Sequence, residues 1–441
     1  MEDTIVAPAT PGGRGGVSVI RISGPCASSV GGRLCGKLPL PWRLKSCSIC
    51  GEGGGPIDSG LVVYFAKPKS YTGEDVVEIH CHGNPLIVDS VVSAAILFGA
   101  RLAEPGEFTK RAFLNNKIDL AQAESVSDLI AAQTLSAVRG AGSSLSGEFS
   151  ETILGSIKRI TELRVLVEAG LDFPDEEGVR PVPTSGGPCM KEIEEELSFL
   201  DDLLSNSRAG LRLREGAKVV LVGPPNSGKS TLLNAFAKKD IAIVSSSPGT
   251  TRDAVRADID LGGVPVEVVD TAGIRALGAG PVEAEGMQRA AVEVEGADLV
   301  LLISEVGLEF EAPFVKEVPV LRVFNKSDLY AKKSLVGPEG VIFISALCGE
   351  GLDHLLEKMC SVVGLGVGVE VPMLARRRHL SFLVLAKESL DRALKISSSL
   401  GGLELVAEEL RGAQAALGEI TNPISSDDLL GEIFSSFCIG K

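Results

Sequence analysis

The sequence of 441 residues lacks any uninterrupted apolar run of about 18 residues, the length that a membrane-spanning helix needs. No apolar signal segment stands at its start and its nine cysteines are irregularly spaced, so we expect a cytoplasmic protein with reduced thiols and no membrane span. Basic residues are also in deficit: 43 Lys and Arg stand against 58 Asp and Glu, for a formal net charge of -15. This deficit disfavours broad binding to a nucleic-acid backbone and restricts any RNA contact to a local or partner-shared patch.

The most informative segment present is a Gly-rich loop, GPPNSGKS at residues 223–230. It follows an apolar, strand-like run at 218–222 and precedes a helical pattern that begins at Thr231. This order is typical of a P-loop, whose backbone N–H groups surround the phosphates of a nucleotide. Lys229 is placed to reach the β- and γ-phosphates, and the Ser230 hydroxyl to bind Mg²⁺.

Further motifs follow in the order that a GTP-binding domain requires. They are GTTRD at 249–253, DTAG at 270–273, NKSD at 325–328 and SAL at 345–347. A carboxylate at Asp328 can accept hydrogen bonds from guanine N1–H and the exocyclic amine, a pattern that adenine lacks, with Asn325 and Lys326 supporting the loop. Thr251 is placed to bind Mg²⁺ only when a γ-phosphate is present, and Asp270 to hold the water shell of the metal. Together the motifs predict a GTPase with GTP and Mg²⁺ as its ligands.

We predict that the GTP site draws on residues from all of these motifs. The predicted residues are Asn226, Ser227, Gly228, Lys229, Ser230, Thr231, Ser245, Ser246, Ser247, Pro248, Gly249, Thr250, Thr251, Asp270, Thr271, Ala272, Gly273, Asn325, Lys326, Asp328, Ser345, Ala346 and Leu347.

The glutamine that orients the attacking water in Ras-like enzymes is absent, because Ile274 follows the DTAG motif. Another group must therefore take that role. The amide oxygen of Asn226 could help to bind a monovalent cation beside the phosphates, where the cation would act in place of an arginine finger. The alternative is a polar loop residue that faces water, and the residues alone leave both interpretations open.

Hydrophobic periodicity changes along the chain and predicts its domains. Residues 4–117 contain strand-like runs separated by Gly and Pro, with one helical stretch near 85–98. Helical spacing of apolar residues dominates 119–171, 190–213 and the stretch from 376 to the end. We predict a multidomain protein with an α+β N-terminal domain (1–118), a discontinuous α-helical domain (119–215 and 373–441) and an inserted Ras-like α/β P-loop GTPase domain (216–372).

Motifs outside the nucleotide domain point to one family. They are DTIVAPATP at 3–11, YTGED at 71–75, PGEF at 105–108, RAFLNNK at 111–117, DLAQAE at 119–124, DFPDE at 172–176, LARRRH at 374–379 and FCIGK at 437–441. Over essentially its whole length the sequence resembles the MnmE (TrmE) family of tRNA modification GTPases.

The resemblance implies an N-terminal domain similar to tetrahydrofolate-binding domains, through which the family forms homodimers. It implies a potassium-activated GTPase domain whose hydrolysis of GTP drives dimerisation of the GTPase domains. It also implies a heterotetramer or larger complex with the FAD- and NADH-using protein MnmG (GidA). Together the two attach an aminomethyl or carboxymethylaminomethyl group to C5 of the wobble uridine, position 34, of certain tRNAs, with 5-formyl- or methylene-tetrahydrofolate as the one-carbon derivative.

The resemblance further assigns site residues. Folate contacts fall on Arg21, Glu78 and Lys117, with the chain end Lys441 reaching the same region. A carboxylate such as Glu78 can hold the amidine-like edge of a pterin in bidentate fashion. The ion ligands are Asn226, Ser245, Ser247 and Thr250 for K⁺, and Ser230 and Thr251 for Mg²⁺. The water-orienting acid falls on Glu283, with Glu285 as an alternative because this segment is one residue longer than the family pattern.

The candidate catalytic residues are Lys229, Asp270, Glu283 and Cys438. For Cys438 two roles stay open, a chemical role of the thiol beside the folate and a docking contact that only orders the chain end. An alternative function is a ribosome-assembly or RNA-binding regulatory GTPase, although the sequence contains no recognisable basic RNA-binding module. A folate-dependent aminomethyl transferase with a vestigial GTPase is disfavoured by the intact Lys229, Asp270 and Asp328.

Overall fold

A computed structural model describes residues 3–172, 188–239, 241, 255–270, 292–308, 310, 318–330, 340–363, 374–397, 402–422, 427–435, 437 and 440. The chain divides into two compact units. The first unit comprises Met1–Ser127, Ser150–Ile157 and Leu417–Lys441, and the second comprises Asp128–Phe149 and Lys158–Ala416. The domain boundaries set out above stay a prediction.

The first unit contains a six-stranded sheet with strand order β3-β4-β5-β2-β1-β6. Its strands are β1 (Ile5–Pro8), β2 (Gly15–Ser23), β3 (Leu44–Cys50), β4 (Pro56–Phe65), β5 (Val76–Gly83) and β6 (Arg101–Leu102). All neighbours are antiparallel except β1 and β6, which are parallel. Helices α1 (Ala27–Cys35) and α2 (Pro85–Leu97) contribute to one apolar core with the inner face of the sheet.

The predicted helix near 85–98 is confirmed as α2, but the expectation of a single helix in this region was wrong. Two more are present, α1 and α3 (Glu107–Leu114). The α1 segment begins Ala-Ser-Ser-Val-Gly-Gly, residues with modest or poor helix propensity apart from alanine. Its fully buried Val30 and Leu34 indicate that packing against the sheet, rather than local preference, stabilises this helix.

The helical spacing in the middle and at the end of the chain is confirmed. It corresponds to α4 (Leu120–Ala131), α5 (Leu135–Ser146), α6 (Glu148–Asp172), α7 (Pro188–Glu215), α10 (Arg377–Ser397), α11 (Leu403–Thr421) and α12 (Asp427–Ser435). Among the helices that the structure describes, none combines the length and apolar character of a membrane span. Within the first unit, Leu430 and Phe434 of α12 join Phe437 in an apolar cluster with Leu120 and Ala123 of α4.

The second unit contains another six-stranded sheet, with strand order β12-β11-β10-β7-β9-β8. Its strands are β7 (Ala217–Val222), β8 (Val255–Leu261), β9 (Val264–Asp270), β10 (Leu299–Glu305), β11 (Val320–Asn325) and β12 (Ile342–Phe343). All pairs are parallel except β8 and β9. The core of this sheet includes side chains of α8 (Lys229–Lys238) and α9 (Leu352–Val363).

One buried carboxylate ties together the chain segments that precede and follow this sheet. Asp128 accepts a hydrogen bond at 2.9 Å from Nε of Arg214, in the last turn of α7, and one at 2.8 Å from Nη2 of Arg376, just before α10. Asp128 is only 8% exposed. A carboxylate shared by two guanidinium groups is the bidentate, charge-assisted kind of contact that fixes geometry.

Candidate functional site

The lysine of the P-loop, Lys229, forms hydrogen bonds with the backbone of the same loop. The loop joins the end of β7 to the start of α8, and Lys229 Nζ donates to the carbonyl oxygens of Gly223 at 2.7 Å and Pro224 at 2.8 Å. Lys229 is almost fully buried. Burial lowers the pKa of Lys229, and the nearby Asp270 carboxylate acts in the opposite direction. A phosphate group would supply the negative charge that a buried ammonium group requires.

Asn325 joins the P-loop to the other nucleotide motifs. Its Nδ2 donates to the carbonyl oxygen of Ser227 at 2.9 Å, and its Oδ1 accepts from the backbone N–H of Ala346 at 3.0 Å. Gly228 has φ of 90°, and a Cβ at this position would lie 2.1 Å from Asn325 Nδ2. The second glycine of the loop is therefore required both by backbone conformation and by this close approach.

The residues expected to contact guanine lie in neighbouring loops. Asp328 is in a short 3₁₀ turn after β11, and its Oδ1 accepts from Ser345 Oγ at 2.6 Å. Lys326 Nζ pairs with Glu305 Oε2 at 2.9 Å, which anchors the backbone of the NKSD segment to β10. Asp328 itself is exposed. The hydroxyl of Ser345 thus orients a carboxylate that can accept the two donors of a guanine edge.

Two residues predicted to serve the metal ion are in direct contact. Ser230 Oγ donates to Asp270 Oδ2 at 2.6 Å, and Asp270 is fully buried at the carboxyl end of β9. A hydroxyl oxygen and a carboxylate are hard oxygen donors of the kind that Mg²⁺ prefers. The donor set therefore fits Mg²⁺ in this position.

Several predicted site residues lie outside the described residues. They are Ser245, Ser246, Ser247, Pro248, Gly249, Thr250, Thr251, Thr271, Ala272, Gly273, Glu283, Glu285, Cys438 and Lys441. Their assignments stay predictions. The remaining predicted nucleotide residues form the loops just described, together with Thr231 in the first turn of α8 and the exposed Leu347.

In the first unit, the residues assigned to folate come together in part. Arg21 of β2 is paired with Glu78 of β5 in the sheet, and its Nε donates to Glu78 Oε1 at 2.8 Å. The Arg21 guanidinium carbon lies 5.2 Å from the ring centroid of Tyr71 and 5.7 Å from that of Phe108, within the range of a cation–π contact. Both charged side chains keep about a fifth of their surface exposed, 20% for Arg21 and 17% for Glu78.

The loop at 70–75 contacts the third assigned residue as well. Lys117 Nζ donates to the carbonyl oxygen of Pro68 at 3.1 Å. A Cβ placed on Gly73 would lie 3.3 Å from Lys117 Cγ. Tyr71 of this loop thus lies against Arg21, and Gly73 leaves the space beside it to the Lys117 side chain.

The chain end also reaches this sheet. Gly440 has φ of 95°, and a Cβ there would lie 1.9 Å from the carbonyl oxygen of Pro8 in β1. Pro8 is paired with Ile20, the residue before Arg21. A residue with a side chain could not take this position without moving the tail. The absence of a side chain therefore permits Gly440 to lie against the end of β1, beside the strand that carries Arg21.

A buried arginine behind the 70–75 loop was not singled out from the sequence. Arg111 is fully buried; its Nη1 donates to Glu74 at 3.1 Å, and its Nη2 donates to Asp3 Oδ1 at 2.8 Å and Glu107 Oε1 at 2.9 Å. Glu74 also accepts from Ser23 Oγ at 2.8 Å. The network fixes the loop that presents Tyr71 to Arg21. Arg111 and Glu74 belong to the family-like motifs RAFLNNK and YTGED, but no local spacing links residues so far apart in the chain.

Known proteins of one family match this chain over essentially its whole length. A family model described as GTP-binding protein TrmE N-terminus matches residues 4–117, and one described as MnmE helical domain matches residues 120–438. A tRNA modification GTPase MnmE of Nitrosomonas eutropha is 46% identical over 452 residues, which covers 100% of this chain and 99% of that protein. The protein of the same name from Proteus mirabilis is 44% identical over 454 residues, with the same coverage.

A third relative, the tRNA modification GTPase MnmE of Neisseria meningitidis, is 46% identical over 448 residues and covers 99% of each chain. Together with the intact P-loop, the Ser230–Asp270 contact and the Asn325–Asp328 loop, these matches identify the chain as a GTP hydrolase that acts in tRNA modification. The chain belongs to the MnmE (TrmE) family of tRNA modification GTPases.

Proposed function

We propose that this GTPase is a potassium-activated, cytoplasmic homodimer that acts with the FAD-dependent partner MnmG (GidA) in a heterotetramer or larger complex. It attaches an aminomethyl or carboxymethylaminomethyl group to C5 of wobble uridine 34 in certain tRNAs, using 5-formyl- or methylene-tetrahydrofolate. The observation that carries the proposal is that one chain holds two distinct ligand arrangements. One is the cluster of nucleotide motifs in the second unit, and the other is the Arg21–Glu78 pair with its aromatic neighbours in the first.

The nucleotide residues have separate roles in hydrolysis. Lys229 pairs with the β- and γ-phosphates, Ser230 and Asp270 hold Mg²⁺, and Asp328 selects guanine. When bound, Mg²⁺ neutralises the charge on the phosphate oxygens. Asn226, with Ser245, Ser247 and Thr250, is the proposed ligand set for K⁺, and Thr251 completes the Mg²⁺ set. Glu283, or Glu285 in its place, orients the attacking water.

GTP binding and hydrolysis are coupled to dimerisation of the GTPase domains in this proposal. A cation site built in part from switch-loop residues is complete only when those loops are ordered. Contact between two GTPase domains would provide that order, so that the nucleotide state shifts the population between separate and joined domains.

The folate site has its own support. Glu78 can accept the amidine-like edge of a pterin, and the basic side chains of Arg21 and Lys117, both near the 70–75 loop, can pair with the carboxylates of a folate. The contact of Gly440 with Pro8 supports a position for the chain end near the same sheet. Lys441 is the proposed terminal contact, and Cys438 is either a chemical participant or an anchor.

Mass spectrometry of wobble uridines in a deletion strain tests the proposal. We expect the C5 modification to disappear on deletion and to return with the wild-type chain. A strain that carries Lys229→Ala, or one that carries Glu78→Gln, should remain unmodified, because each lacks one of the two ligand sites. Lys238→Ala is the matched control, since Lys238 is an exposed lysine in the last turn of the same helix. Full modification in the deletion strain would contradict the proposal, and full modification with Glu78→Gln would remove the folate site from it.

A further inference from the structure

The outer face of β5 carries the polar side chains of Glu78 and His80, of which only Glu78 belongs to the proposed folate site. Side chains alternate along the strand, so that Val77 and Ile79 are buried in the core while Glu78 and His80 lie on the opposite face. In the sheet, Glu78 is paired with Arg21 and His80 with Val19 of β2. His80 is therefore the next side chain along the same face after Glu78, beside the Arg21–Glu78 pair.

His80 has an unmet hydrogen-bonding need. Its Nε2 is buried and has no hydrogen-bond partner in the part of the chain that the structure describes. Among the described residues, the acidic atom nearest to it is Glu78 Oε2 at 3.9 Å, which is longer than a hydrogen bond. Buried polar atoms without a partner are uncommon in folded proteins and point to a missing ligand or water.

The Glu78 carboxylate beside His80 is bonded to Arg21 through its oxygen on the far side from the imidazole. Glu78 Oε1 accepts from Arg21 Nε at 2.8 Å, whereas Glu78 Oε2 is the oxygen that faces His80. A carboxylate has about four lone-pair positions, so Glu78 can keep Arg21 and still accept two further hydrogen bonds. The carboxylate and the imidazole thus present acceptor, acceptor and donor in sequence when Nε2 carries the proton.

One common chemical group is complementary to that sequence. In a 2-amino-4-oxopyrimidine ring, the amino group and the adjacent ring N–H are donors, and the oxo group next to them is an acceptor. Pterins and guanine share this edge. The neighbours of His80 across the sheet, Val19 and Leu61, are apolar, and Leu61 is 41% exposed, so a flat ring can pack beside the imidazole.

We propose that Glu78 and His80 together recognise the 2-amino-4-oxopyrimidine edge of the ligand at this face, with Glu78 accepting from the two donors and His80 Nε2 donating to the oxo oxygen. His80 is then a specificity-determining residue of the first unit. The inference rests on the proposed function for its choice of a folate. The His80 side chain is 28% exposed, and a rotation about χ2, a broad torsion, would turn Nε2 from its buried position towards the ligand.

Calorimetric binding to the full-length protein tests the proposal with three variants and three probes. The probes are 5-formyltetrahydrofolate, its 4-amino analogue and guanosine, the last added after GDP has filled the GTPase site. In the 4-amino analogue an amino donor replaces the oxo acceptor and the neighbouring ring nitrogen carries no proton. His80→Leu should weaken binding of the 4-oxo compound by about 3- to 10-fold, the effect of one net hydrogen bond. It should reduce the preference for the 4-oxo over the 4-amino compound by the same factor, because the lost contact is made only to the oxo group.

His80→Gln should keep most of the affinity and the preference, because an amide N–H can replace the imidazole donor. His82→Leu is the matched control on the same strand and face; His82 is 66% exposed and its Nδ1 is already bonded to Asp58 at 2.9 Å. This control should bind like the wild type. A thermal melt of each variant confirms that the fold is intact.

The outcomes distinguish the proposed role of His80 from the proposal that the first unit binds a folate. Wild-type affinity and preference in His80→Leu, with folate bound, would overturn the role of His80 and leave the folate proposal in place. Binding of guanosine to the GDP-filled protein, without any binding of folate, would support recognition of this edge while contradicting the folate proposal. Absence of binding by 5-formyltetrahydrofolate and by guanosine in the wild type would overturn both proposals.

Discussion

The two six-stranded sheets hold their candidate ligand-binding groups in different ways. In the second sheet, Lys229, Asp270 and Asp328 lie at or just beyond the carboxyl ends of β7, β9 and β11, where open α/β sheets commonly bind ligands. In the first sheet, Arg21 and Glu78 stand within strands that are paired on both sides. Loop residues can move when a ligand changes, whereas residues within a sheet are held by two hydrogen-bonded neighbours. The loop residues of the second sheet therefore suit a switch, and the strand residues of the first sheet suit a rigid docking surface.

The largest expected effect concerns the nucleotide site in the loops of the second sheet, which we call the loop site. The test is whether GTP hydrolysis there depends on an ion that folate binding at Arg21 and Glu78, the sheet site, does not need. Asn226 has φ of 64°, in the left-handed region that asparagine enters more readily than most residues. We expect GTP hydrolysis by the wild type to be on the order of 10³-fold faster in K⁺ than in Na⁺ at equal ionic strength, the scale of an arginine finger. Steady-state phosphate release in the two salts measures it.

Asn226→Gly separates the two explanations for this residue. Glycine keeps the left-handed backbone but removes the amide oxygen, whereas alanine would add strain as well. If the amide binds the ion, Asn226→Gly should lose the K⁺ preference with little change in nucleotide affinity. A preference that survives in Asn226→Gly would show that asparagine serves the backbone alone. Binding of 5-formyltetrahydrofolate should be the same in both salts.

A second test removes the support behind the sheet site. Arg111→Met leaves the carboxylates of Asp3, Glu74 and Glu107 without their shared cation, and breaking a buried ion network of this kind costs about 3–5 kcal/mol. We expect faster hydrogen exchange in the 70–75 loop and in β5, measured by mass spectrometry. Amides of β7 and β10 in the second sheet should keep their protection.

Lys110→Met is the matched control for this change, because the neighbouring lysine is only half-buried on the same helix and its loss should alter exchange little. If Arg111→Met left the loop and β5 as protected as in the wild type, the network would not be what holds the loop. An equal loss of protection in both sheets would argue against their independence.

The P-loop part of the loop site was predictable because its residues are adjacent in the chain. A strand, a glycine turn and a helix start carry Gly228, Lys229 and Ser230 together, so a pattern of eight letters contains the geometry. The period of the apolar residues likewise predicted α2, the long helices and the strands that bear the motifs. The contacts of Asn325 with Ser227 and Ala346 then link loops whose order in the sequence already indicated one site.

The sheet site was predictable only through the family resemblance. Arg21 and Glu78 are separated by 57 residues, and their meeting depends on the pairing register of β2 with β5, which no local pattern reveals. The same reason hid His80. That its Nε2 lacks a partner among the described residues is a property of its neighbours on the sheet rather than of the His-Cys-His sequence. Helix α1 was missed because its Ser and Gly residues obscure a helix that is stabilised by tertiary packing.

The smallest expected effect is a difference between the sheets in acid. Burial opposes ionisation of Glu107, but hydrogen bonds from Arg101, the backbone of Glu104 and Arg111 hold its pKa below the ordinary value of 4.5. An acid whose folded pKa is lowered contributes stability above its ordinary pKa, and that contribution is lost as the pH falls through the folded value. In the second sheet, burial and the neighbouring Glu267 raise the pKa of Asp258 above its ordinary value of 3.8, so protonation of Asp258 favours the folded state.

We therefore expect the first sheet to lose hydrogen-exchange protection earlier than the second when the pH is lowered below about 4.5, the ordinary pKa of Glu107. Glu107→Gln should reduce protection of the first sheet at neutral pH and make its remaining acid dependence shallower, because the group that titrates is gone. Glu104→Gln, three residues earlier and exposed, should leave the acid profile unchanged. If Glu107→Gln kept the wild-type profile, other carboxylates of the network, such as Asp3, would have to carry the acid sensitivity, and the contrast between the two sheets would rest on more than this one residue.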